Sequence, residues 1–387
     1  MPTTVRTFQL VCRSKAPFLS SAFSGTRFSR YYGEGGSIPA AKNVFYRVSG
    51  LPRGAKNDDV RQFIRNNKTP SEADSSPGIE VLPACVQGSR ETTSIAIVKF
   101  PRDQEPLFLR DLAQNRLSEI TLPYEVSGVP GSANITFDRH FHGFTQLYPT
   151  RPGNPVLAEY DPSPLSFNRR LRISSLTPKS IIAITGMDGH AYGSWMSRDA
   201  HGDMWLRNFL SRDLPYCRTM IYGYESKLLA PNINQLQEYG RLFLAEIAKV
   251  RDTVELQQRP LIFICHSYGG IILSYSLVRS SNAHTMENEN QASRHSVYKS
   301  TYGMLFFGTP HRGSRKEDLL KMVEHEHPNR IPVLLQSKPD SGRLLDQLGH
   351  LKDIIGDRRV GSFYELKPTP SLERVSHSAR QKSGKVR

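Results

Sequence analysis

The sequence predicts an α/β protein, with a doubly wound, mostly parallel sheet preceded by a smaller α+β unit. Three observations carry this reading. From Lys179 onward, short apolar runs alternate with stretches of helical apolar spacing, as in a parallel sheet covered by helices. Three glycine-bearing loops follow those runs, at 186–195, at 267–270 and at 308–314, where such sheets place their ligands. Residues 43–130 follow a different order, strand–helix–strand–strand–helix.

At the start of the chain, residues 1–33 carry Arg6, Arg13, Lys15, Arg27 and Arg30 with no Asp or Glu. This composition suits a mitochondrial presequence and equally a disordered basic segment. The net charge of +15 sits largely in this stretch and in the basic tail at 367–387. It therefore does not describe a folded nucleic-acid face, although a basic end can be drawn to an anionic membrane. No apolar run approaches the ~18 residues of a spanning helix. The four cysteines, Cys12, Cys85, Cys217 and Cys265, lack the spacing of a disulfide framework or a zinc site.

In the unit at 43–130, strands are expected at 44–51, 79–86 and 92–100, with helices at 58–64 and 106–117. The order is ferredoxin-like and similar to an RNA-recognition motif. Such motifs stack bases on aromatic rings of the third strand, where this chain has Ile95 and Ile97. A structural add-on is the better reading, and nucleic acid is disfavoured as a partner. Residues 131–178, rich in Pro and Gly, read as a linker docking on the next domain through 141–148. His140 and His142 lack a third ligand at useful spacing, so neither metal nor cofactor is expected.

The domain at 179–366 opens with a strand at 181–185 and the loop Gly186-Met187-Asp188-Gly189-His190. A short helix at 205–210, a strand at 218–222 and an apolar helical stripe from Ile233 to Val250 follow. The run Leu261-Ile262-Phe263-Ile264-Cys265-His266-Ser267-Tyr268-Gly269-Gly270 reads as buried strand, sharp turn and helix, with Ser267 at the apex. That context gives a Gly-x-Ser-x-Gly-like match its meaning. Small residues are needed two before and two after the serine, and Cys265 and Gly269 meet the need. The turn presents the Ser267 hydroxyl as nucleophile. It also makes the Tyr268 N–H, with the Met187 N–H beside Gly186, the candidate oxyanion donors. Asp188 precedes the serine and reads as a loop residue. A serine nucleophile needs a histidine base oriented by an acid. His377 and His311 are the candidate bases, and Asp340, Asp346 and Glu365 the candidate acids; the triad stays incomplete. Residues 308–315 have the glycine spacing of a phosphate loop but lack its Gly-Lys-Ser/Thr ending, which excludes an ATPase.

Five stretches occur in order: Gly186 to Trp195, Met204 to Leu210, Ile221-Tyr222-Gly223-Tyr224, His266-Ser267-Tyr268-Gly269-Gly270 and Phe306 to Ser314. Together they resemble the α/β-hydrolase domain of SERAC-type (serine-active-site-containing) proteins. That domain also stands at the front of fungal NACHT or NB-ARC/ankyrin proteins and is similar to lipase-like DUF676 domains. The resemblance covers about residues 135–366. It implies a serine esterase or lipase, with Ser267 matching the family nucleophile. It also implies an ester or lipid substrate and peripheral association with mitochondrial or endoplasmic-reticulum membranes, a cytoplasmic site being the alternative. Two features depart from the family pattern. Cys265 stands where the family has glycine, and the late family histidine has no secure counterpart in the basic stretch after Glu365. The latter leaves two alternatives, a truncated chain or a relative that binds without turnover.

Overall fold

The computed structural model describes residues 8–12, 43–69, 77–85, 94–101, 104–114, 117–125, 132–149, 178–197, 203–226, 236–285, 289–312, 342–356 and 358–365. The strands are β1 (Phe8–Cys12), β2 (Asn43–Leu51), β3 (Gly78–Pro83), β4 (Ser94–Pro101), β5 (Glu119–Glu125), β6 (Ser132–Asp138), β7 (Gly143–Tyr148), β8 (Lys179–Ile184), β9 (Cys217–Gly223), β10 (Leu261–His266), β11 (Thr301–Phe307) and β12 (Arg359–Glu365). The helices are α1 (Asn57–Asn66), α2 (Arg110–Ala113), α3 (Trp205–Asn208), α4 (Leu210–Asp213), α5 (Leu236–Lys249), α6 (Val254–Gln258), α7 (Tyr268–Ser281), α8 (Glu289–Ser300) and α9 (Gly342–Ile355).

In the small unit the strands lie in the order β3-β4-β2-β6-β5, all neighbours antiparallel. Alternation along β2 and β4 puts Val44, Tyr46, Val48, Ala96, Val98 and Phe100 on one face. There they meet Val60, Phe63 and Ile64 of α1. Asp58 and Asp59 in the first turn of α1 offset the positive end of its dipole. The expected helix at 106–117 is shorter, a 3-10 turn at Leu107–Leu109 running into α2.

The larger sheet has the order β1-β12-β11-β10-β8-β9-β7. The run from β12 to β9 is parallel, while β7 and β1 are antiparallel at the two edges. This is the doubly wound α/β fold expected from the sequence. Both faces are buried, which explains why β8 and β10 read as continuous apolar runs. Ile182, Ile184, Phe263 and Cys265 face Tyr239, Phe243 and Ile247 of α5 and Ile272 and Leu277 of α7. Ile181, Ala183 and Ile264 on the opposite face share a core with Leu82, Ile95 and Ile97 of the small unit, and with Trp195 and Leu206.

The stretch read as a linker is corrected in part. Ser132–Asp138 is β6 of the small unit, paired with β2 and β5, and Gly143–Tyr148 is the edge strand β7 of the large sheet, paired with β9. Two elements of different sheets are therefore joined by only the short turn 139–142. Ser132–Asp138 alternates polar and apolar residues as a half-buried strand does, but the flanking Pro- and Gly-rich segments read as a linker. At the other edge, Phe8–Cys12 within the basic 1–33 stretch forms β1 against β12.

Polar contacts reinforce the junction between the two units. Arg47 Nε donates to Asp138 at 2.7 Å, and Arg47 also reaches Thr145 Oγ1 of β7 at 3.0 Å. The buried Arg218 of β9 donates to Gln146 Oε1 at 2.6 Å, to the Val250 carbonyl at 3.2 Å and to the Cys85 carbonyl. Arg207 pairs with Glu80. Burial of Ile95 and Ile97 alone contributes on the order of 1.5–3 kcal/mol each.

Candidate active site

Ser267 occupies the expected apex. It joins the end of β10 to the start of α7 with φ +52° and ψ −126°, one of three non-glycine residues with positive φ among those described. Such a conformation costs an L-residue on the order of 1–3 kcal/mol and persists only where the surroundings impose it. Here a backbone bond from Ser267 N to the Phe307 carbonyl, 2.8 Å, ties the apex to the end of β11. The Gly270 N–H closes the turn onto the Ser267 carbonyl at 3.1 Å.

The small residues around the apex have separate reasons. A Cβ on Gly269 would lie 2.4 Å from the Ile184 carbonyl oxygen and 2.6 Å from that of Thr185. Only glycine therefore lets α7 start so close to the end of β8. Cys265 is fully buried in the main core. Burial pushes its thiol well above the usual cysteine range, so it is a packing residue and no rival nucleophile.

The loop after β8 lies against the serine. A Cβ on Gly186 would stand 2.7 Å from Ser267 Cβ and 3.2 Å from Ser267 Oγ. The next residue, Met187, packs its side chain with Tyr268, Leu236, Ile271 and Leu344. The two residues named as oxyanion donors thus share one apolar cluster. Tyr268 is the first residue of α7, so its N–H lacks an intrahelical acceptor and sits at the positive end of the helix dipole.

Asp188 and two groups that sequence reasoning passed over, Tyr224 and Ser226, hold this loop in shape. Tyr224 OH donates to the Thr185 carbonyl at 3.2 Å. Asp188, at φ +54°, donates its N–H to the Ser226 carbonyl at 2.7 Å, and Ser226 Oγ donates back to the Gly189 carbonyl. Asp188 is a turn residue, as the chain order suggested. Of the two groups passed over, Tyr224 ends the third quoted stretch, whereas Ser226 lies outside all five.

The candidate bases and acids divide between described and undescribed residues. His311 follows β11, but its ring stands edge-on to Phe306 with centroids 4.7 Å apart. Burial pulls its pKa down from 6.5 to about 4. His377 and Asp340 lie outside the described residues. Asp346 and His350 are exposed on α9, and Glu365 ends β12, two strands from β10. His140 and His142 stack on each other at 5.4 Å, and no cluster of three metal-ligating side chains occurs among the described residues. A cavity of about 370 Å³ opens at the ends of β11 and β12, lined by Phe306, Gly308, Thr309, His311, Ser362, Phe363 and Tyr364.

No protein-family model matches the chain. It is 24% identical over 209 residues to Protein SERAC1 of Danio rerio, covering 49% of this chain and 30% of that protein. It is 22% identical over 176 residues to Protein SERAC1 of Homo sapiens, covering 41% and 26%. The chain thus spans about a third or less of the length of the curated relatives it matches. Among solved structures, it is similar to the Bacillus licheniformis lipase BlEst2 with 14% identity, TM-score 0.34, and 56% and 69% of the two chains covered. The phospholipase PlaB from Legionella pneumophila is 16% identical, with TM-score 0.30, and 44% and 35% covered. Over about half of its length the chain is thus distantly similar to SERAC1 proteins.

Proposed function

We propose that the chain is a serine hydrolase of the esterase or lipase class, which forms an acyl-enzyme on Ser267 from a carboxylic ester, with lipid esters as the favoured substrates. The observation that carries the reading is the conformation of Ser267: φ +52° between a buried strand and a helix N-terminus, with Gly186 against its side chain. A strained serine at that place is the arrangement an exposed nucleophile requires.

In this mechanism Ser267 Oγ attacks the ester carbonyl carbon while its proton passes to a histidine. The carbonyl oxygen becomes an oxyanion, accepting from the N–H groups of Tyr268 and Met187. Collapse breaks the bond to the alcohol oxygen, which leaves with the proton, and water then releases the acid by the same steps in reverse order. His377 and His311 are the two candidates for the base. His311 is neutral at pH 7, as a base must be, but a pKa near 4 makes it a weak one, which favours His377.

A second reading, a hydrolase-fold module used for interaction with little turnover, is favoured by one observation: His311, the candidate base among the described residues, stands edge-on to Phe306 with its pKa lowered by burial to about 4. Fluorophosphonate labelling of the full chain beside Ser267→Ala decides between the readings. Labelling that disappears in the variant supports the hydrolase, and the same assay on His377→Ala and His311→Ala identifies the base. A folded chain that does not label supports the interaction module. For location we propose peripheral association with mitochondrial or endoplasmic-reticulum membrane, supported by the family resemblance and the basic N-terminal stretch. No helix among the described residues is long and apolar enough to cross a membrane. A fluorescent fusion that stays diffuse with residues 1–33 present would defeat this proposal.

A further inference from the structure

One imidazole ties the loop after β8 to the small unit. His190 Nδ1 accepts from the backbone N–H groups of Tyr192 at 3.1 Å and Gly193 at 2.9 Å. A ring nitrogen that accepts carries no proton, so the hydrogen of the neutral ring is on Nε2. That N–H donates to the Arg139 carbonyl at 2.7 Å. Arg139 directly follows β6, the strand paired with β2 in the small unit. Phe141, two residues on, stands edge to the His190 ring at 5.4 Å and stacks on Tyr192. Tyr192 in turn meets Phe45 of β2 at 5.0 Å.

From His190 the contacts continue to the serine. Its backbone N–H donates to Ser194 Oγ at 3.1 Å, and Ser194 Oγ accepts from Thr185 Oγ1 at 2.8 Å. Thr185 is the residue before Gly186, which abuts Ser267. A bonded path therefore runs from the small unit through His190 and Ser194 to the first residues of the oxyanion loop.

We infer that His190 is a positioning residue, through which the small α+β unit holds the oxyanion loop and thereby the Met187 N–H. The inference rests on reading Ser267 as the nucleophile. The small unit then belongs to the catalytic architecture and is no detachable appendage.

The test compares His190→Asn with His190→Gln in the full chain. The asparagine oxygen takes the place of Nδ1 and keeps the acceptor for Tyr192 and Gly193, while the donor to Arg139 is lost. The glutamine amide can reach the place of Nε2 and keeps that donor while losing the acceptor. Expected for His190→Asn is a fall of about tenfold or more in kcat toward a p-nitrophenyl ester and in fluorophosphonate labelling rate, with KM little changed, because an oxyanion donor acts mainly in the transition state. Amide exchange across 186–193 should also speed up while 261–266 stays protected. His190→Gln should retain most of the rate. Unchanged loop exchange in His190→Asn would overturn the inference. So would equal losses in both variants with a lowered melting temperature, since the ring would then only build its own turn. If the unaltered chain does not label, the nucleophile reading has failed, and the exchange comparison still decides whether His190 couples the two units.

Discussion

Gly186 and Ser267 meet at the carboxyl ends of β8 and β10 so closely that a methyl group on the glycine would stand 2.7 Å from Ser267 Cβ and 3.2 Å from Oγ. The contact sets the distance between the oxyanion loop and the hydroxyl. Gly186→Ala must push one of them away. The substitution is expected to slow fluorophosphonate labelling about 100-fold, the scale of a lost oxyanion donor, while costing only about 1–3 kcal/mol of stability by overpacking. Labelling rate and thermal melting measured side by side check this, and a normal rate in the variant would mean that the loop is not part of the site.

The backbone of Ser267 gives a second test. At φ +52° a glycine relieves strain that an alanine keeps. Ser267→Gly and Ser267→Ala should both lose labelling, yet the glycine variant should be more stable than the alanine variant by about 1 kcal/mol. Urea midpoints report the difference. Equal midpoints would argue against a strained apex.

Ile97 tests what the sheet face of the small unit is for. Its side chain is 3% exposed and belongs to the core shared with the large sheet. Ile97→Lys is expected to destabilise the chain by about 3 kcal/mol or more, since an unpaired ammonium would be buried. RNA-recognition modules leave this face open for stacking. A melting temperature unchanged by the lysine, together with stronger salt-dependent RNA binding, would mean that the face is open in solution.

His311 predicts an acid limb of stability. Burial lowers its pKa from 6.5 to about 4, so between these values the unfolded chain binds the proton and the folded chain does not. Stability therefore rises with pH across this window: the contribution is fully present above about pH 6.5 and is lost as pH falls toward 4. For a half-buried ring the effect is on the order of 2 kcal/mol. His140, also lowered by burial, acts in the same direction. Denaturant midpoints at pH 4.5 and 7.5 should converge partly in His311→Gln. An unchanged pH slope in that variant would assign the limb elsewhere.

The strands of the larger sheet were legible because both of their faces are buried. In β8 and β10 nearly every residue is apolar, and a short apolar run between loops leaves little else to infer. The elbow was legible because its demands are local: a small residue on either side of Ser267 and an apolar helix behind it. β6 and β7 were passed over because the Pro- and Gly-rich segments around them read as a linker, although Ser132–Asp138 alternates polar and apolar residues as a half-buried strand does. Gly143–Tyr148, with Thr145 beside Gln146, lacks that alternation. Pairing with β2 and β9 makes strands of them. His190 was part of a quoted motif without a role, because its partner Arg139 is 51 residues away.

By itself the sequence determined that a serine would sit at a strand–helix turn in a parallel sheet, and that the front of the chain would form a separate α+β layer. Those features depend on burial periodicity and turn conformation within about ten neighbouring residues, which any segment carries with it. Only the tertiary structure decided that Gly186 abuts Ser267, that the inner face of the small unit is spent against the large sheet, and that Arg139 is linked through His190 to the loop beside the serine. Each of these joins segments tens of residues apart or more, and which surfaces meet depends on how the two sheets bury their remaining apolar faces together.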